Sequence, residues 1–95
     1  GEDVTLYPIK EAADKISYGE AIDIQAIVSP VRVEEILIEP GYVISDYITV
    51  YSFLPLRHHE KIRRKGEDYE VLGVQAFNFQ GETAYFKANC RRLIG

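Results

Sequence analysis

The stretch that decides the fold is KIRRKGEDYEVLGVQAFNFQGETAYFKANCRR, residues 61–92. Its second half alternates, with apolar side chains on one face of the chain and mostly polar ones on the other. The inward set from residue 84 onward is Ala84, Phe86, Ala88 and Cys90. This period of two is typical of a half-buried β-strand. Gly66 and Gly81 each supply the positive φ that a tight hairpin turn requires, so the stretch predicts three strands joined by two hairpins.

The alternation changes phase in the middle of this stretch. Tyr69 and Val71 share one face, whereas Leu72 and Val74 fall on the opposite parity, and the change occurs beside Gly73. A glycine at a phase change indicates a β-bulge, which lets a strand bend around the corner of a barrel.

Further strands are predicted on the N-terminal side. Residues 21–28 alternate cleanly, residues 4–9 read as a short strand, and residues 43–53 are the most β-prone segment of the chain. The segment from Tyr47 onward is apolar on both faces, which is typical of a central or covered strand. Five or six strands with short turns predict an all-β fold, a small antiparallel β-barrel or rolled sheet forming a single domain over residues 1–95.

The segment from Lys10 to Gly19 is ambiguous. Ile9, Ala12, Ala13 and Ile16 fit the spacing of a helical stripe, but the stretch is short for a stable helix. We therefore expect a variable loop or a short helix here.

Composition and chemistry disfavour several classes of function. Fifteen acidic and 11 basic residues give a net charge of −4, whereas a protein that grips phosphates normally carries a basic surplus. The lone Cys90 lies on an apolar strand face, and His58 and His59 have no second ligand cluster at metal-binding spacing. We expect no enzyme, no metal, no cofactor and no membrane partner.

Two surface features remain open. The first is a basic cluster, which fits either a contact with phosphates or an acidic partner, or a charged edge strand that resists aggregation. Its members are Arg57, Lys61, Arg63, Arg64 and Lys65, with Arg91 and Arg92 near the end of the chain.

The second feature is a set of aromatic side chains that exceeds what a small core needs, namely Tyr47, Tyr51, Phe53 and Tyr85. Either they form an interface with another subunit, or residues 10–18 fold over them within one chain.

Residues 26–93 resemble the small head–tail joining proteins of tailed bacteriophages and related viruses, called adaptor, stopper or head-completion proteins. The resemblance is carried by IVSPV at residues 27–31, EPGY at 39–42, ITVY at 48–51 and above all GEDYEVLGV at 66–74. It closes on the strand from Ala84 to Leu93.

The resemblance implies a virion protein, made in the host cytoplasm, that forms a ring of six or twelve copies at the head–tail interface. Its partners would be itself, the portal or adaptor, the tail tube or tail-end protein, and double-stranded DNA passing through the lumen. The candidate subunit interface is Tyr47, Thr49, Tyr51, Phe53, Arg57, Arg63 and Arg64, and the candidate gating loop is Lys10, Asp14, Lys15, Tyr18 and Gly19. The alternative is a small oligonucleotide-binding or SH3-like barrel that binds nucleic acid or a protein partner.

Overall fold

The computed structural model describes residues 1–12 and 15–94, and within them the protein is all-β. The strands are β1 (Glu2–Tyr7), β2 (Ile9–Ala12), β3 (Lys15–Tyr18), β4 (Ile22–Pro30), β5 (Tyr47–Ser52), β6 (Lys61–Arg64), β7 (Glu67–Phe79) and β8 (Glu82–Arg92). Helical structure in this part of the chain amounts to two short 3-10 turns, at Val33–Glu35 and Ile44–Asp46. The predicted fold class is confirmed.

Six of the strands form a closed antiparallel barrel in the order β1-β4-β5-β8-β7-β6. The first strand closes it, because β1 pairs with β4 on one side and with β6 on the other. Closure leaves the paired strands without the free hydrogen-bonding edges that make open sheets prone to association.

The core fills the barrel and draws on every one of its strands. Its members are Val4, Leu6, Ala26, Ile48, Val50, Leu56, Ile62, Tyr69, Val71, Ala88 and Cys90, with Ile24 and Val28 packed against them. Apart from Leu56, which lies between β5 and β6, these residues are the inward half of each alternating pattern, because successive side chains on a strand point to opposite faces.

The expected turns and bulge are present. The loops Lys65-Gly66 and Gln80-Gly81 both have positive φ at each position, 52° and 79° in the first and 52° and 83° in the second. Two consecutive positive φ values are the signature of the type I′ turn that matches the twist of a hairpin. The register of β7 against β8 shifts between Val71 and Gly73, as the change of phase in the sequence predicted.

The β7–β8 hairpin is longer than its neighbours. β5 pairs with β8 only from Phe86 to Arg91, and β6 pairs with β7 only from Glu67 to Glu70. We call residues 72–85 the arm. Its first part, residues 72–76, lies along the barrel segment of β8, and residues 77–85 continue past the barrel as a two-stranded projection.

The predicted loop or short helix at residues 10–19 is wrong, because β2 and β3 form an antiparallel hairpin instead. Pro8 and Gly19 bracket it, and the Gly19 amide donates to the Pro8 carbonyl at 2.6 Å. The physical reason is length: a stripe of eight residues cannot offset the cost of helix nucleation, whereas a hairpin places Ile9 opposite Tyr18 at once. Asp14, one of the candidate gating residues, lies outside the described residues.

Candidate subunit interface

The outer face of β5 is divided into two parts by the segment that connects β4 to β5. We call residues 31–46 the strap, because they run over the outside of the barrel. At the strap end, the Tyr47 hydroxyl accepts a hydrogen bond from the Glu39 amide at 3.0 Å. The ring of Tyr42 packs edge-on against Tyr47, with centroids 6.2 Å apart. Tyr47 and Thr49 are each only 2% exposed as a result.

Ion pairs fasten the strap to β8. Glu35 accepts from the ammonium of Lys87 at 2.9 Å, which raises the pKa of that lysine. Further along, Arg91 donates to Glu39 and lies 4.6 Å below the ring of Tyr42. These contacts hold the strap in place over the outer face of the barrel.

Two further contacts anchor the ends of this network. Arg92 donates to the buried carboxylate of Asp46 at 2.7 Å, at the point where the strap enters β5. Arg91 also reaches Glu70 of β7 at 3.4 Å, so one guanidinium joins the strap to two strands. The strap is thereby fixed to the barrel along most of its length.

This arrangement corrects part of the expected interface. Tyr47 and Thr49 were assigned to an exposed face because they alternate with core residues, but the strap of the same chain buries them. The segment that covers them is residues 31–46, not residues 10–18. The alternation of β5 is the same on both sides of this boundary, so periodicity could not reveal which part was covered.

Beyond the strap, the outer face of the wall is bare and aromatic. We call Ile27, Tyr51, Phe53, Phe77 and Tyr85 the aromatic wall; the last two stand at the base of the arm, where the wall and the arm meet. Ile27 is 59% exposed and Phe53 is 84% exposed. The rings of Phe77 and Tyr85 stack at 4.8 Å, and Tyr51 lies 6.2 Å from Tyr85. The rings make one continuous apolar surface across β5, β8 and β7.

A groove of about 420 Å³ runs along this wall. It is lined by Gly1, Gln25, Ala26, Ile27, Tyr51, Ser52, Phe53 and Tyr85, and none of these side chains is charged. Such a volume falls in the range of protein sites that hold an aromatic or aliphatic group.

The arm is the second bare surface. Residues 71–81, VLGVQAFNFQG, carry no charged side chain, although 27% of the whole chain is charged. Phe79 at its tip is 69% exposed. The sequence interpretation did not single out this segment as functional, and the signal that would have found it is the uncharged run itself.

The basic cluster is paired within the chain. Arg63 binds Asp68 through two nitrogens at 2.7 and 3.2 Å, and Arg64 binds Glu2 in the same way at 2.9 and 3.0 Å. Hydrogen bonds from the two guanidinium groups lower the pKa of Asp68 and of Glu2. Lys61 lies 4.4 Å from the ring centre of Tyr7. The positive charge of this edge is therefore largely offset by neighbouring carboxylates.

The β2–β3 hairpin is attached to the same edge. The buried carboxylate of Glu60 accepts from the Ile9 amide at 3.1 Å and from the Arg57 amide at 2.8 Å. Tyr18 lies 5.1 Å below the ammonium of Lys61. Of the candidate gating residues, the structure places Lys10, Lys15 and Tyr18 on the two strands and Gly19 just after them.

The remaining side chains with reactive groups, His58, His59 and Cys90, are packed or paired within the chain. The rings of His58 and His59 stack at 3.7 Å, and His59 Nδ1 lies 3.1 Å from a Glu70 oxygen. Across residues 1–12 and 15–94, no group of three or more His, Cys, Asp or Glu residues is placed to hold a metal ion. Burial raises the pKa of the Cys90 thiol to about 12.

The barrel has more surface than its size requires. Its accessible area is 6415 Å², whereas a compact monomer of 10.8 kDa exposes about 5,500 Å². The arm, the strap and the bare wall hold several of the most exposed large apolar side chains, including Ile27, Leu37, Phe53 and Phe79.

Comparison with known proteins gives no relative for this chain: no protein-family model matches it, and no curated protein matches it. Within the described ranges, the longest helical element is far too short to span a membrane.

Proposed function

We propose that this protein is a structural subunit of the ring that joins head and tail in a tailed virus. The observation that carries the proposal is the pair of bare apolar surfaces, the aromatic wall and the arm, on one closed barrel. A ring of identical subunits needs two different complementary patches on each chain, because its contacts are head-to-tail. The sequence features at residues 27–31, 39–42 and 66–74 that resemble head–tail joining proteins support the same assignment.

Large apolar side chains on the wall and the arm are open to solvent. Ile27 and Phe53 are 59% and 84% exposed, and Phe79 is 69% exposed. Exposed apolar side chains grouped in this way are typical of an interaction site.

The charge distribution suits a ring through which DNA passes. The chain carries a net charge of −4, and its arginines at the β6 edge are held by Asp68 and Glu2. Free cations would bind phosphates and slow the strand, whereas paired ones leave little positive potential. DNA would therefore slide past such a surface without sequence recognition.

The structure narrows the residues that we assign to the ring. Tyr51 and Phe53 remain interface candidates, whereas Tyr47 and Thr49 are buried under the strap. Arg63 is still 46% exposed at its side chain and is available at the rim of a contact, next to Arg57 and Arg64. The β2–β3 hairpin remains our candidate for the gating element, and the portal or adaptor and the tail end remain the proposed neighbours.

The test is the copy number of the polypeptide in purified, DNA-filled particles, measured by quantitative mass spectrometry against the capsid protein. A closed ring requires about six or twelve copies per particle. Hundreds of copies would point to a capsid decoration or a tail tube instead. Absence from particles, together with salt-dependent binding to single-stranded oligonucleotides, would favour the nucleic-acid-binding barrel.

A further inference from the structure

We propose that the arm of one copy lies in the groove of the aromatic wall of a second copy. This inference rests on the proposed ring for its biological setting, but the contact itself involves only two copies of this chain. It assigns the two bare surfaces to each other, with the arm as the inserted element and the wall as the receiving one.

The arm lacks the protection that isolated β-strands normally have. Natural edge strands are guarded by lysine, proline or inward-pointing charges that prevent pairing with another chain. Residues 72–81 contain none of these, and the backbone bonds of β7 on this side end at Val71, which bonds His59 and Glu60. Two irregularities of register, beside Gly73 and beside Asn78, interrupt the ladder of β7 with β8. The one charged side chain of the arm is Glu82, opposite Phe79, and the exposed Phe79 at the tip is unfavourable in water unless something covers it.

The groove matches the arm in chemical character. Its lining carries no charged side chain, and Ile27 and Phe53 stand at its rim with most of their surface exposed. Contact with the β7 strand of the arm, residues 72–79, buries apolar surface without desolvating a charge, which is the costly step in forming an interface.

The arm cannot reach the groove of its own chain. Tyr85 belongs both to the base of the arm and to the lining of the groove. From Phe86, the last residue of β8 paired with β5, to Glu82 at the tip, the strand extends about 13 Å away from the wall. A type I′ turn with ten paired positions behind it holds Phe79 at that distance.

The presence of both bare surfaces on one chain favours a second copy as the partner. Every copy presents Phe79 on its arm and Ile27 and Phe53 at its groove, so contact between copies covers both surfaces at once. An arm and a groove at different places on one chain give a heterologous contact, in which every copy both gives an arm and receives one.

The experiment is disulfide cross-linking between two single-cysteine variants, Phe79→Cys and Ile27→Cys, mixed as purified protein. Cys90 does not interfere, because it is fully buried and its pKa of about 12 keeps it protonated. Both substituted positions are exposed, so both variants are expected to fold. Oxidation of the mixture should link position 79 of one chain to position 27 of the other at least about tenfold faster than the control mixture.

The control mixture pairs Phe79→Cys with Leu37→Cys, because Leu37 is 87% exposed but lies on the strap rather than in the groove. Equal rates in the two mixtures would overturn the proposal. Preferential linkage of Phe79→Cys to itself would also overturn it, because that result means pairing between arms. So would a protein that stays monomeric at roughly millimolar concentration without any link between positions 79 and 27.

This test separates the contact from its setting. A link between positions 79 and 27 in a protein that is absent from particles would keep the arm contact and reject the virion role. If particles contain about six or twelve copies and no such link forms, the virion role is supported and the arm contact is rejected.

Discussion

The outer face of β5 and of the residue that follows it offers a comparison within seven residues. Tyr47 and Thr49 at one end are buried, whereas Tyr51 is partly exposed and Phe53, just past the other end, is almost wholly exposed. All four occupy the same parity, opposite the core residues Ile48 and Val50. The burial of a sheet face is thus decided by what the connecting segment does, and the strand itself is the same in both parts.

The strap buries part of the outer face of β5 but leaves apolar side chains of its own exposed. It covers Tyr47 and Thr49, but it leaves Val33, Leu37 and Val43 more than half exposed. Its attachment depends on ion pairs and on one ring packed against another, because it forms no strand with the barrel. The covered part is therefore stabilised by polar contacts at its surface as well as by burial.

The largest expected effect separates the two parts directly. Tyr47→Ala removes a fully buried ring and the acceptor of the Glu39 amide, so we expect the free energy of unfolding to fall by about 3–5 kcal/mol. Phe53→Ala removes an exposed ring and should change it by no more than about 0.5 kcal/mol. Equilibrium denaturation in urea measures both.

The comparison would fail if the two variants lost similar stability. In that case the strap would not be seated on Tyr47 in solution, and both parts of the wall would be bare. An unchanged free energy of unfolding in Tyr47→Ala would lead to the same conclusion.

The next effect uses Cys90, which lies opposite Ile48 on the inner face behind the covered part. Burial raises the pKa of its thiol from 9.0 to about 12. The unfolded chain therefore ionises first, and the stability that the neutral thiol contributes is present below pH 9 and is lost as the pH rises toward 12. The slope from this group approaches 1.4 kcal/mol per pH unit within that window.

Cys90→Ala is the matched variant for this effect, because alanine cannot ionise. Stability measured from pH 8 to 11 should decline less steeply in Cys90→Ala than in the unaltered protein, since the tyrosines ionise in both. Identical slopes would show that the thiol is not enclosed as described.

The smallest expected effects concern the ion pairs that attach the strap to β8. Arg91 is 15% exposed at its side chain and holds Glu39, Glu70 and the ring of Tyr42, so Arg91→Leu should cost about 1–2 kcal/mol. Lys87 forms a single partly exposed pair with Glu35, and Lys87→Leu should cost about 0.2–1 kcal/mol.

Urea denaturation of the two variants at low and high salt distinguishes these contributions. The Arg91 cluster should keep more of its contribution at high salt than the Lys87 pair, because Arg91 also holds Glu70 and the ring of Tyr42. A larger loss of unfolding free energy for Lys87→Leu than for Arg91→Leu would contradict the expectation that Arg91 contributes more.

Much of the fold was predictable because it rests on local signals. The tight turns need positive φ, and Gly66 and Gly81 supply it. The change of phase at Gly73 indicates a bulge, and the alternation of residues 82–91 indicates a strand with one buried face. Each of these signals depends on neighbouring residues alone, so the sequence contains it in full.

The β2–β3 hairpin and the covered wall were not predictable on the same basis. The hairpin is held by Glu60, which is 51 residues away from Ile9, and the strap buries Tyr47 through contacts with β8. Periodicity reports which side chains share a face, but not which distant segment lies on that face. Of the seven candidate interface residues, Tyr51 and Phe53 are the ones that the bare part of the wall retains.

The closing strand of the barrel has a consequence for how the chain folds. β1 is made first, but its pairing partner Arg63 and the Glu2–Arg64 ion pair lie about sixty residues later in the chain. Contacts of such long sequence separation slow folding, and barrels of this kind form in about milliseconds to seconds. During synthesis β1 can pair with β4 long before β6 emerges, so the nascent chain carries an open edge until translation has passed residue 64.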